Sequence, residues 1–220
     1  MIAKDLISDE IPPLKDSDTG LRALSWMDEF KVAHLPVISG SKYIGLVSDT
    51  DILDLEDPGL QLKKQKLNLL RPFAPEYVHI YDVMKLVSDL RLSVVPILDN
   101  KENYLGLTNI NHLMHLIVNT ASISEPGSVI ILSINQNDYY MSEISRIIEE
   151  NNARILSSYI TSTSDSTKME VTLKINKTDI RSILASFERY EYEVTAHYQK
   201  DLFNDDVKDN YESLIRFLNT

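Results

Sequence analysis

The chain repeats itself at an interval of sixty residues. H-L-P-V-I at 34–38 falls on V-V-P-I-L at 94–98, which sets Pro36 on Pro96, and Pro12 falls on Pro72. After one inserted residue, Tyr43-Ile44-Gly45-Leu46 falls on Tyr104-Leu105-Gly106-Leu107. Upstream, the apolar set Leu24, Met27, Phe30 and Val32 falls on Met84, Val87, Leu90 and Leu92. A shared proline, a shared glycine and a shared helical stripe mark a tandem duplication, and each copy must then be one supersecondary unit.

Both copies have one coarse pattern. Asp18 or Thr19 can cap a helix over roughly 20–31, whose apolar residues recur at helical spacing. A short strand, Leu35–Ser39, and a turn at Ser39-Gly40-Ser41 follow. A second strand, Tyr43–Ser48, runs into a helix that begins near Asp49. Pro36 and Pro96 fit at strand starts or edges, where no N–H donor is needed. Each half is therefore βαββα-like and too small to stand alone, so the two are expected to bury their sheet faces together. The copies are set at 1–60 and 61–120.

After Asn119 the periodicity changes. Ser128–Ile134 is an apolar, β-branched run, and Met141, Ile144, Ile147 and Ile148 then mark one helical face. Ile155–Thr163 reads as a strand, and Met169, Val171, Leu173 and Ile175 alternate with polar residues as a half-buried strand does. Thr178 is placed to cap a helix faced by Ile180, Ile183, Leu184 and Phe187, and Val194, Ala196 and Tyr198 alternate again. The order βαββαβ over 127–200 is the ferredoxin-like split unit. Ser124-Glu125-Pro126-Gly127 marks the boundary, and Val207, Tyr211, Leu214, Ile215 and Leu218 suggest a final amphipathic helix over 201–220. The fold class is α/β (α+β).

Composition narrows the function. With no cysteine among 220 residues there are no disulfides, thiolate metal sites or cysteine nucleophiles. A net charge of −11 repels phosphate backbones and argues against nucleic-acid binding, although one nucleotide in a local pocket is still allowed. No apolar run reaches the roughly 18–20 residues of a membrane span. Acidic residues stand where a signal peptide would carry its apolar core, so a cytoplasmic location is expected.

The Pro-Val-Ile strand, the run Gly45-Leu46-Val47-Ser48 into a helix, and Asp51 three residues on resemble a tandem pair of CBS domains over residues 1–118. The βαββαβ unit resembles an ACT domain, and the whole is similar to the acetoin-utilisation type of CBS–ACT protein. The resemblance implies a non-catalytic sensor binding AMP, ADP, ATP, NAD or S-adenosylmethionine between the copies, in a homodimer serving a protein partner. It implies phosphate and ribose contacts at Ser48 and Asp51. Asp49 neighbours them at the helix start, and His34 precedes the proline strand within reach of the inter-copy cleft. In the second copy Asn109 stands at the position of Ser48 and His112 at that of Asp51, so one occupied site per pair is expected. The ACT-like loop Asn135–Tyr139 lacks the Pro-Gly turn of ligand-binding members, which favours a dimerising role over an amino-acid ligand.

Competing readings are weaker. Asp49 and Asp51 as a metal or acid–base pair would point to different sides of a helix start, where carboxylates serve the cap and the dipole. His112 and His115 have metal-ligand spacing but no acidic third ligand nearby. No G-x-S-x-G elbow, P-loop or G-x-G-x-x-G occurs, so an enzyme is not expected. A scaffold that binds no small molecule is the principal alternative, and an enzyme using the cleft is the next.

Overall fold

The computed structural model describes residues 1–162 and 167–199, and the helix expected over 201–220 lies outside these residues. The chain divides into two compact units, Met1–Ile117 and a second beginning at Val118.

The first unit contains both copies. In copy one, β1 (Leu14–Lys15) precedes α1 (Gly20–Phe30), β2 (His34–Ser39), β3 (Lys42–Ser48) and the short α2 (Asp49–Leu53). Copy two repeats the order with β4 (Ala74–Pro75), α3 (Ile80–Leu90), β5 (Val94–Leu98), β6 (Tyr104–Asn109) and α4 (Ile110–Thr120). Each forms a three-stranded sheet with the proline strand in the middle, parallel to the first strand and antiparallel to the last. Thr19 caps α1 by accepting from the Arg22 N–H, and α1 and α3 both end on a left-handed residue, Lys31 and Arg91.

The prolines were expected at a strand start or edge, yet Pro36 and Pro96 are the third residues of central strands. Their missing donors cost nothing, because β1 meets β2 only from Val37 onward and β4 meets β5 only from Ile97 onward.

The copies exchange their leading segments. A 3-10 turn at Ala3–Leu6 packs on copy two, where Ala3 and Lys4 donate to the carbonyls of Val78 (2.8 Å) and Glu76 (2.9 Å). The matching turn at Leu62–Lys64 packs on copy one, where Leu62 and Lys63 donate to Asp18 (2.8 Å) and Asp16 (2.9 Å). Further along, Ser8 bonds Leu107 (2.9 Å) and Leu70 bonds Leu46 (2.8 Å). The exchange gives the unit one hydrophobic core drawn from both copies, with Leu6, Leu14, Leu35, Ile52, Ile97 and Leu107 sealed from solvent.

The exchange also explains the repeated glycine. Gly45 and Gly106 lie inside β3 and β6. A Cβ on Gly45 would sit 2.6 Å from Leu69 Cβ and 2.9 Å from the Leu70 carbonyl, and one on Gly106 would sit 2.5 Å from Ile7 Cγ2. A crossing chain segment occupies the space a side chain would need.

The second unit is β7 (Ser128–Asn135), α5 (Met141–Glu150), β8 (Ile155–Ser162), β9 (Lys168–Ile175), α6 (Arg181–Arg189) and β10 (Glu193–Tyr198). Its antiparallel sheet has the order β10-β7-β9-β8, the ferredoxin-like arrangement. Alternate residues Ile130, Leu132, Ile134, Val171, Leu173 and Ile175 share one core with the inner faces of α5 and α6, so both helices cover the same face. Thr178 does not cap α6. Ile180 holds the capping position without a side-chain bond, and Asp179 accepts from the Arg181 N–H instead (3.2 Å).

Candidate functional site

The end of β3 carries the residues singled out for ligand contact. Ser48 closes the β2–β3 ladder opposite His34, and α2 begins at the next residue. Ser48 is the N-cap. Its Oγ accepts from the Asp51 N–H (3.1 Å), while Asp51 Oδ2 accepts from the Ser48 N–H (2.8 Å) and the Ser48 hydroxyl (2.7 Å). This reciprocal capping box satisfies donors that a helix start leaves open. Asp49 turns back on the backbone, accepting from the Thr50 N–H at 2.7 Å. Asp51 Oδ1 takes no hydrogen bond among the described residues, so one carboxylate oxygen stays available beside the first turn.

Copy two builds the same end with different atoms. Asn109 Oδ1 accepts from the His112 N–H at 2.8 Å, so Asn109 caps α4 as Ser48 caps α2. Both helix starts hang on the residue before the middle strand, Asp49 N–H on the Ala33 carbonyl (3.1 Å) and Ile110 N–H on the Ser93 carbonyl (3.2 Å).

Those two anchor points meet. Ser93 Oγ accepts from the N–H groups of both Ala33 and His34, each at 3.0 Å. His34 Nδ1 lies 3.1 Å from Ser93 Oγ and 3.3 Å from the Ser93 nitrogen. Burial pushes the His34 pKa below its ordinary value, against the pull of the Asp49 and Asp51 carboxylates. The structure thus brings His34, Ser48, Asp49 and Asp51 together and reaches Asn109 through Ser93. His34 faces the other copy and holds it.

Ser93 was missed by the sequence reading. Its only signal is that it stands sixty residues from Ala33, a polar residue where the first copy has a methyl group.

A second set of inter-copy bonds closes the hairpin ends. Tyr104 N–H donates to the Ser41 carbonyl (2.8 Å), and Arg71, paired with Glu102 of its own copy (3.3 Å), reaches the Tyr43 carbonyl (3.2 Å). Tyr43 is buried and donates its hydroxyl to the Pro72 carbonyl at 2.9 Å. Burial raises its pKa and that of Tyr104. Among the described residues no group of three or more His, Asp or Glu side chains could hold a metal ion, and no helix is long and apolar enough to cross a membrane.

Comparison with known proteins finds similarity over part of the chain. A family model described as the CBS domain matches residues 3–57, a span that includes His34, Ser48, Asp49 and Asp51. Similar solved structures include a CBS domain pair/ACT domain protein from Thermotoga maritima, at 20% identity and TM-score 0.48, covering 54% of this chain and 98% of that one. CBSX2 in complex with AMP is similar at 19% identity and TM-score 0.46, covering 54% of this chain and 96% of that one. The CBS domains of a transcriptional regulator from Streptococcus pneumoniae match at 19% identity and TM-score 0.45, covering 52% and 98%. The fold is mixed α/β: two βαββα copies, the first of which is matched by the CBS family model, followed by a ferredoxin-like domain.

Proposed function

We propose that this protein is a non-catalytic regulator whose CBS pair senses an adenosine-containing ligand, such as AMP, ADP, ATP, NAD or S-adenosylmethionine. The observation that carries the reading is the end of β3, where the match to the CBS family model coincides with an Asp51 carboxylate oxygen left free beside a helix start. A ribose diol donates two hydroxyl hydrogens, and a carboxylate accepts both. The Ser48 hydroxyl is then the phosphate-side donor once it leaves Asp51. Hydrogen bonds to charged groups contribute about 1.5–3 kcal/mol each, while micromolar affinity needs about 8 kcal/mol, so apolar contact with the adenine must supply the remainder. Asn109 and His112 offer no carboxylate, and the first-copy end is the one occupied. The ACT-like unit serves association of a cytoplasmic homodimer or a second signal to a protein partner.

A ligand-free scaffold is favoured by one specific observation, that Ser48 and Asp51 already satisfy each other. Urea unfolding with and without each nucleotide separates the two. A sensor gains about 2.7 kcal/mol at a hundredfold excess over the dissociation constant. Ser48→Ala/Asp51→Ala lowers stability without ligand by removing the cap, so the readout is the ligand-induced increment, which the double variant loses. No increment with any of the five compounds leaves the scaffold.

A further inference from the structure

We infer that His34 and Ser93 form a proton-sensitive clasp between the two copies, closed when the imidazole is neutral and opened when it is protonated, so that acid weakens ligand binding at the Ser48–Asp51 end. The first part rests on geometry alone, and only the ligand coupling rests on the function proposed above.

The hydrogen-bond inventory fixes the state of the ring. The Ser93 hydroxyl accepts two N–H groups, from Ala33 and His34, and has a single hydrogen to give. That hydrogen points to His34 Nδ1 at 3.1 Å, and the Ser93 N–H points to the same nitrogen at 3.3 Å. Nδ1 is therefore an acceptor, and the proton of the neutral ring resides on Nε2. Protonating Nδ1 would set an N–H against the Ser93 N–H and leave that half-buried donor without its partner.

The arrangement solves an asymmetry between the copies. Ala33 has no polar side chain to offer the backbone of copy two, so the His34 ring does for the Ser93 N–H what the Ser93 hydroxyl does for copy one. Breaking it frees both strand starts, and each holds a helix start through the Ala33 and Ser93 carbonyls.

The surroundings decide the direction. Asp49 and Asp51 on α2 face His34 and favour its charged form, but burial outweighs them. Its β3 partner, Ser48, does not titrate. On α4, which starts at the Ser93 carbonyl, the first titratable residue is His112, while Lys31 and Arg91 just upstream of the two strands are exposed. An imidazolium released from Ser93 has the Asp49 and Asp51 carboxylates as its nearest counter-charges, and pairing with Asp51 takes away the proposed ribose acceptor.

Because the native pKa lies below the free value of about 6.5, the clasp contributes fully above that pH and fades as pH falls from about 6.5 toward the native value. The test is a proton NMR titration of the His34 ring in the full chain, assigned by comparison with His34→Gln. His34 is expected to titrate below the free value in the parent and in Ser93→Thr, and to rise toward it in Ser93→Ala. A His34 that titrates at or above about 6.5 and is indifferent to Ser93→Ala overturns the clasp. If Ser93→Ala does not fold, urea midpoints from pH 7.5 to 5 decide, since the parent must lose more than His34→Gln and equal losses overturn it. AMP affinity is expected to fall several-fold over the same range in the parent and less in His34→Gln. Parallel profiles overturn the coupling, whereas no AMP affinity at any pH counts against the sensor reading and leaves the ligand-free measurements to judge the clasp.

Discussion

Thr108 and Val47 hold equivalent positions on β6 and β3, one residue before the helix cap, and both are sealed from solvent. The Thr108 hydroxyl is the one buried side-chain polar atom without a partner among the described residues. A lone buried hydroxyl costs about 1–3 kcal/mol relative to an apolar group of the same shape. Thr108→Val, which copies what the first repeat already has, is expected to raise unfolding stability by about 1 kcal/mol, read as a higher urea midpoint at unchanged slope. At Asp51 the sign reverses. Asp51→Ala removes the acceptor for both the Ser48 N–H and its hydroxyl, and a loss of about 1 kcal/mol is expected in the same measurement. Ser48 and Asp51 could be found from sequence, because serine followed by an acid three residues later is a local cap signature. Ser93 could not, because its partners His34 and Ala33 lie in the other copy and no local pattern links them.

Gly45 and Gly106 belong to the scale of elements, for their reason lies in a segment that crosses the strand. Gly45→Ala and Gly106→Ala are each expected to destabilise by about 1–3 kcal/mol, since the new methyl meets Leu69 and the Leu70 carbonyl or Ile7, and Gly106 adds the strain of a φ of 155°. Gly40 is the control. It has a left-handed φ of 62° and open space around it, so Gly40→Ala carries only the backbone cost of about 1 kcal/mol. Equal losses at all three would mean that close approach is not what the repeated glycine serves. Most elements were legible: the αββα part of each copy and the later βαββαβ follow from periodicity, with limits that agree to within a residue or two, whereas the leading strands Leu14–Lys15 and Ala74–Pro75 are too short to show a period. The crossing was not, because 3-10 turns at 3–6 and 62–64 are too short to show a period. The α6 cap was misjudged because the helix begins at Arg181, two residues later than a Thr178 cap requires, and Asp179 takes up the Arg181 N–H.

At the scale of the whole molecule, two cores make two reporters. Residues 1–117 share one hydrophobic cluster, and Ile130 to Phe187 another. Under the sensor reading, hydrogen exchange with saturating nucleotide is expected to slow amides at the Ala33–Asp51 and Ser93–His112 ends of the first unit. Slowing confined to the second unit would move the site there. The exchange of leading segments also bears on how this chain is made. Ala3 finds its partner at Val78, and Ser8 finds its own at Leu107, about a hundred residues later in synthesis. Residues 3–8 are thus synthesised before the residues that seat them, and the first copy lacks the strip at 62–70 until that strip follows. Neither repeat is complete by itself, since each takes its leading strip from the other.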